Sequence, residues 1–148
     1  MTPTTQLALL VLTTVTGAAV MAGAQAKQPA AKKLRVFFVE PKDNATVKSP
    51  VQMKFGAEGI EIAAVPPGEV TKARPGIAHH HVGIDVDCLP PGKNIVKGTP
   101  SWVHFGDGSV VFEVQLTPGK HKLALQLGDD LHNTLPGACS VIIVNVQP

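Results

Sequence analysis

Tyrosine is absent from the chain, and tryptophan occurs once, at Trp102. Aromatic residues make up only 4% of the sequence, so no stripe of aromatics alternates with basic residues as a base-stacking surface requires. The formal net charge is only +2, too small for a nucleic-acid reader. There is no G-x-S-x-G, no C-x-x-C and no phosphate-cradling Gly loop leading into a helix. Met53 is the only methionine beyond the first 26 residues, which excludes the thioether clusters of Cu(I) carriers. Glu113 is a lone carboxylate on a strand, and spacing places no acid/base pair. These absences argue against an enzyme and against a nucleic-acid partner.

What is present begins with an apolar run. Leu7 to Val15 is broken only by Thr13 and Thr14, a milder stretch covers Gly17 to Ala24, and Ala24-Gln25-Ala26 is a small-x-small cleavage signature. This order is that of a signal peptide over residues 1–26, although its first six residues carry no Lys or Arg. The alternative is an uncleaved anchor, since the apolar stretch is about 18 residues long. However, Lys27, Lys32, Lys33 and Arg35 follow that stretch, which runs against the positive-inside tendency for a domain held outside. The expectation is therefore export to the periplasm or medium, with no membrane span after cleavage. A short Ala/Lys/Pro linker, 27–33, would precede a single domain over 34–148.

In an oxidising compartment, Cys88 and Cys139 are expected to form a disulfide. Closing a loop of about 50 residues would stabilise the fold by roughly 4 kcal/mol on the chain-entropy argument. Metal ligation by these cysteines is the alternative, disfavoured by their separation.

No segment sustains a helical period, whereas short alternating runs recur between Pro/Gly turns. Strands are expected at 34–40, 46–55, 60–65, 80–86, 102–105, 110–116, 121–127 and 140–146, with Pro50 making an edge or bulge. Val110 to Leu116 and His121 to Leu127 flank Thr117-Pro118-Gly119-Lys120, the pattern of a β-hairpin. The fold class expected is all-β, an immunoglobulin-like antiparallel sandwich of about seven short strands; a small barrel is the rival.

Six histidines occur: His79, His80, His81, His104, His121 and His132. On a regular strand, His79 and His81 share a face at roughly 6.6 Å between Cα atoms, from about 3.3 Å rise per residue. His80 points the other way, with Val82. A further ligand would come from His104, His121, His132, or a carboxylate such as Asp85, Asp129 or Asp130. Imidazoles with carboxylates suit Cu(II) or Zn(II). Each histidine also has a plain structural reading. His121 can bond backbone at a core edge, His104 can pack on Trp102, His132 can pair with a loop carboxylate, and the triplet can be an exposed patch.

Several stretches, in order, resemble a bacterial secreted family known as domain of unknown function 4399. They are Pro41-Lys42-Asp43-Asn44-Ala45-Thr46-Val47, Ser49-Pro50-Val51, Phe55-Gly56-Ala57-Glu58-Gly59, His79-His80-His81 with Ile84-Asp85, and His104-Phe105-Gly106-Asp107-Gly108. Pro118-Gly119 with His121, Leu123 and Leu125, then Leu127-Gly128-Asp129 and His132, complete the set. The chain departs from the family pattern at Val82-Gly83, at Ser109 and in its added Cys88 and Cys139. The resemblance implies that the histidine set recurs as a unit, and supplies no substrate. Two functions remain: a small exported domain binding copper or zinc through the histidines, or a module binding an envelope protein or other partner without metal.

Overall fold

The computed structural model describes residues 33–148. The expected signal at 1–26, and all of the expected linker except Lys33, lie outside the described residues. Nine strands follow in order: β1 (Arg35–Glu40), β2 (Ala45–Lys48), β3 (Val51–Glu58), β4 (Glu61–Ile62), β5 (Ile77–Ile84), β6 (Trp102–His104), β7 (Val111–Val114), β8 (Gly119–Gly128) and β9 (Thr134–Gln147). The described residues contain no helix, and so none long and apolar enough to cross a membrane.

The strands form a sandwich. One sheet has the order β1-β3-β7; the other has the order β2-β9-β8-β5-β4, with β6 also paired to β5. Apolar residues alternate along the strands, so each sheet turns one apolar face inward. Val36, Phe38, Val51, Met53 and Phe55 from the small sheet meet Val82, Leu123, Leu125, Leu127, Ile142 and Val144 from the large one. The immunoglobulin-like expectation of a two-layer all-β domain therefore holds, with nine strands rather than seven.

Three local expectations are corrected. The run 46–55 is not one strand: it divides at Ser49-Pro50 into β2, which pairs parallel with β9, and β3, which pairs with β1 and β7. Proline has no N–H to donate to a ladder, and the chain changes sheets there. The closing strand is not confined to 140–146, because β9 begins at Thr134. The third correction concerns the hairpin across Pro118-Gly119, which does not form. β7 pairs with β3, whereas β8 pairs with β5 and β9. Two alternating runs around a turn bury their apolar sides equally well as strands of facing sheets, and that is the case here. Ser49 fixes the crossing, its Oγ accepting from Leu116 N and donating to Gln115 Oε1, both at 3.0 Å. A further departure is that β4 also pairs parallel, with β5.

The disulfide expectation is met. Cys88 and Cys139 are bonded, with Cα atoms 6.2 Å apart. Cys139 sits opposite Gln126 in the β8–β9 ladder. The Gln126 side chain accepts from Leu89 N at 2.9 Å and donates to Leu89 O at 2.7 Å. Together these bonds hold the segment after β5 against the outer face of the large sheet. A disulfide is consistent with an extracytoplasmic protein.

Candidate metal centre

β5 is buried along nearly its whole length, not on one face only. Its inward face carries His80 and Val82. His80 is fully buried, and its ring lies 5.2 Å from that of Phe55 on the opposite sheet. Its outward face carries His79 and His81, also fully buried. The triplet is thus not an exposed patch.

Two neighbours bring further histidines to the outward face. In the β5–β6 ladder His104 stands directly opposite His81, and Trp102 opposite Gly83. Residues directly opposite in an antiparallel pair share a face. His132 arrives from the loop between β8 and β9. That loop is tightly bonded: Asp129 Oδ1 accepts from Leu131 N at 2.9 Å and Asn133 N at 2.8 Å, and His132 N donates to Asp129 O at 2.8 Å. Asn94 Nδ2 donates to Leu131 O at 2.7 Å, and Ile95 N donates to His132 O at 2.8 Å. His132 has φ of 67°, a conformation uncommon for a residue with a side chain and one that functional sites often retain.

The result is a cluster of four imidazoles. One ring nitrogen from each of His79, His81, His104 and His132 can be chosen so that all lie within 4.8 Å of one another. Ring centroids are 4.5 Å apart for His79–His81, 4.6 Å for His104–His132 and 5.6 Å for the widest pair, His81–His132. Four nitrogens at about 2.0–2.1 Å from one ion would be about 3.3 Å apart in a tetrahedron, so the rings need draw in by roughly an ångström. Two glycines make the rings' positions available. A Cβ on Gly128, opposite His79 in the β5–β8 ladder, would lie 2.7 Å from His81 Cε1. One on Gly106 would lie 2.8 Å from His104 Nε2.

The hydrogen bonding is incomplete. His104 Nε2 and His132 Nε2 are 2.9 Å apart, so one can donate to the other. The ring nitrogens of His79 and His81, like those of His80 on the opposite face, are buried with no hydrogen-bond partner. Leaving such groups unpaired costs roughly 1–3 kcal/mol each, and buried polar groups are rarely left so. A metal ion is one partner that buried imidazole lone pairs accept.

Electrostatics keep these rings neutral. Burial pushes His79 down to about 3, with His104 and His132 adding to the shift. Burial pushes His81 down to about 2, with His79, His104 and His132 adding. His104 and His132 are also lowered, first by burial; Lys97 contributes to both shifts. Neutral imidazole is the ligating form.

The other expected candidates are placed elsewhere. His80 lies across the strand from the cluster; burial pushes it down to about 4, partly offset by a contact with the Ser109 backbone. His121 sits at the far end of β8, with Nδ1 2.8 Å from Asp85 Oδ2 and Nε2 2.9 Å from Thr117 O. It is the core-edge histidine of the plain reading. Burial alone would lower its pKa, but the bonds to Asp85 and Thr117 leave it raised. The His104 ring lies against those of His79, His81 and His132. The candidate carboxylates are committed: Asp85 to His121 and Lys122 N, Asp129 to its own loop, and Asp130 to Arg74. Arg74 was not singled out by sequence. Its Nη2 is 2.8 Å from Asp130 Oδ1, whose side chain is 1% exposed, and the pairing, chiefly the hydrogen bond, holds Asp130 down to about 2. Only its position beside Asp130 identifies it.

Beside the cluster a cleft of about 620 Å³ opens to solvent, and His104 and His132 line it. Val65, Val103, Phe105 and Phe112 supply apolar wall, and Lys97 stands at its edge.

No curated protein and no solved structure matches the chain. The family described as Domain of unknown function (DUF4399) matches residues 53–147. That span covers every strand from within β3 onward, both glycines and all six histidines. The chain therefore belongs to the DUF4399 family.

Proposed function

We propose that this is an exported metal-binding protein that holds Cu(II) or Zn(II) through His79, His81, His104 and His132, and that it is not an enzyme. One observation carries the reading: the buried ring nitrogens of His79 and His81 have no hydrogen-bond partner and face two further imidazoles. A module whose histidines merely form a polar network accounts for the His104–His132 contact but leaves those nitrogens unexplained. Four nitrogen donors suit Cu(II) and Zn(II) over Mg(II) or Ca(II), which prefer oxygen. Periplasmic or extracellular placement fits the Cys88–Cys139 bridge and the sequence of the first 26 residues.

The test is the metal content of protein purified from the periplasm, followed by titration of the stripped protein. One equivalent of copper or zinc and sub-micromolar affinity are expected, with both lost in His79→Ala/His81→Ala. Absence of stoichiometric metal together with absence of micromolar binding overturns the reading.

A further inference from the structure

A cluster of four imidazoles brings no negative charge to a divalent ion. Each nearby carboxylate is already committed: Asp130 to Arg74, Asp129 to the amides of Leu131 and Asn133, and Asp107 to Ser109 N at 2.9 Å and Ser109 Oγ. Set against the cations Lys97 and Arg74, these three carboxylates leave a loaded site with surplus positive charge. Burying such a surplus is costly unless an anion accompanies it. Among the described residues His79 and His81 are sealed, and an anion approaches past His104 and His132, which border the cleft.

The cleft has the features such an anion would need. Its volume, about 620 Å³, lies within the usual range for small-molecule sites. Lys97 lines it and forms no salt bridge or side-chain hydrogen bond among the described residues. About half of the exposed lining is apolar. Phe105 and Phe112 meet edge to face, with centroids 4.8 Å apart, and Val65 and Val103 continue the surface. Asp107 also lines the cleft and disfavours a second negative charge on the ligand.

We propose that the cleft binds a small organic monoanion, a carboxylate with an apolar body. Its carboxylate sits between Lys97 and the metal at His104 and His132, and its apolar part lies on Phe105, Phe112, Val65 and Val103. This inference rests on the metal-binding reading. A carboxylate at this position compensates the surplus charge and also covers the apolar wall of the cleft, whereas a halide would do only the first.

Calorimetric titration with benzoate tests it, using the whole secreted protein loaded with whichever of Zn(II) or Cu(II) it retains, and the stripped protein beside it. Benzoate should bind the loaded form at least tenfold more tightly than the stripped form. Neutral benzamide and the short acetate should each bind at least tenfold more weakly than benzoate. Lys97→Gln should weaken benzoate severalfold. Metal content measured on the same samples separates two failures. Metal retained, with benzoate binding no better than benzamide or indifferent to the ion, overturns the anion site and leaves the metal reading standing. No metal retained overturns both.

Discussion

At the scale of single residues, the cluster depends on groups that are not ligands. Gly128 is the clearest. Adding one methyl there would bring it within 2.7 Å of His81 Cε1 and 3.4 Å of His132 Cα, a clash that only movement of those groups relieves. Gly128→Ala should therefore weaken metal binding at least tenfold by competition titration. His121→Ala makes the opposite case. It removes the bonds to Asp85 and Thr117, so denaturant unfolding should show a loss of about 1–2 kcal/mol with metal stoichiometry unchanged. From the sequence alone all six histidines were candidates. Strand alternation was enough to separate His80 from His79 and His81. Nothing in the sequence separated His121 from His104, since both lie on or beside strands and their partners are fixed only by register. The aspartates were equally ambiguous. The bonds from Asp129 to Leu131 N and Asn133 N are what turn His132 toward the others.

At the scale of elements, period-2 alternation located β1 and β8 to within two residues, because each has one face on the shared core; β5 begins three residues before the expected 80–86, and β3 is only the second part of the expected 46–55. It did not reveal which strands are partners. The arch across Thr117-Pro118 shows why: a core between two sheets receives side chains from both, so the same alternation serves either pairing. The expected half-buried strand at 80–86 fared similarly. Its outer face is covered by the segment that folds back after it, residues 88–96, and by the β8–β9 loop, residues 129–133, and no local pattern records such a cover. This cover is held on one side by the Cys88–Cys139 bond and by Gln126 bonded to Leu89. Cys88→Ser/Cys139→Ser should lower stability by about 2–5 kcal/mol. Hydrogen exchange should rise in residues 88–96 before it rises in β8 or β9.

At the scale of the whole molecule, the sandwich keeps three adjacent histidines neutral in its interior. His79, His80 and His81 titrate near 3, 4 and 2 when folded, against about 6.5 when unfolded. The unfolded chain therefore binds more protons than the folded one at any pH between those values. Stability is fully present above about pH 6.5 and falls as pH drops through that value toward the folded values. Thermal melts of the stripped protein should show Tm declining steadily from pH 7 to pH 5. A bound ion should flatten the decline until protons displace it from the imidazoles. The two-layer architecture was legible in composition and turn spacing, and so was the disulfide. The convergence of β5, β6 and the β8–β9 loop on one point was not, because it depends on three ladders closing together. The way the cluster is set into the fold also governs traffic. Two of its rings lie sealed behind the other two, so among the described residues an ion reaches the cluster past His104 and His132. Exchange with chelators should then be slow for its affinity, and its rate should follow how freely those two side chains swing rather than how tightly all four hold.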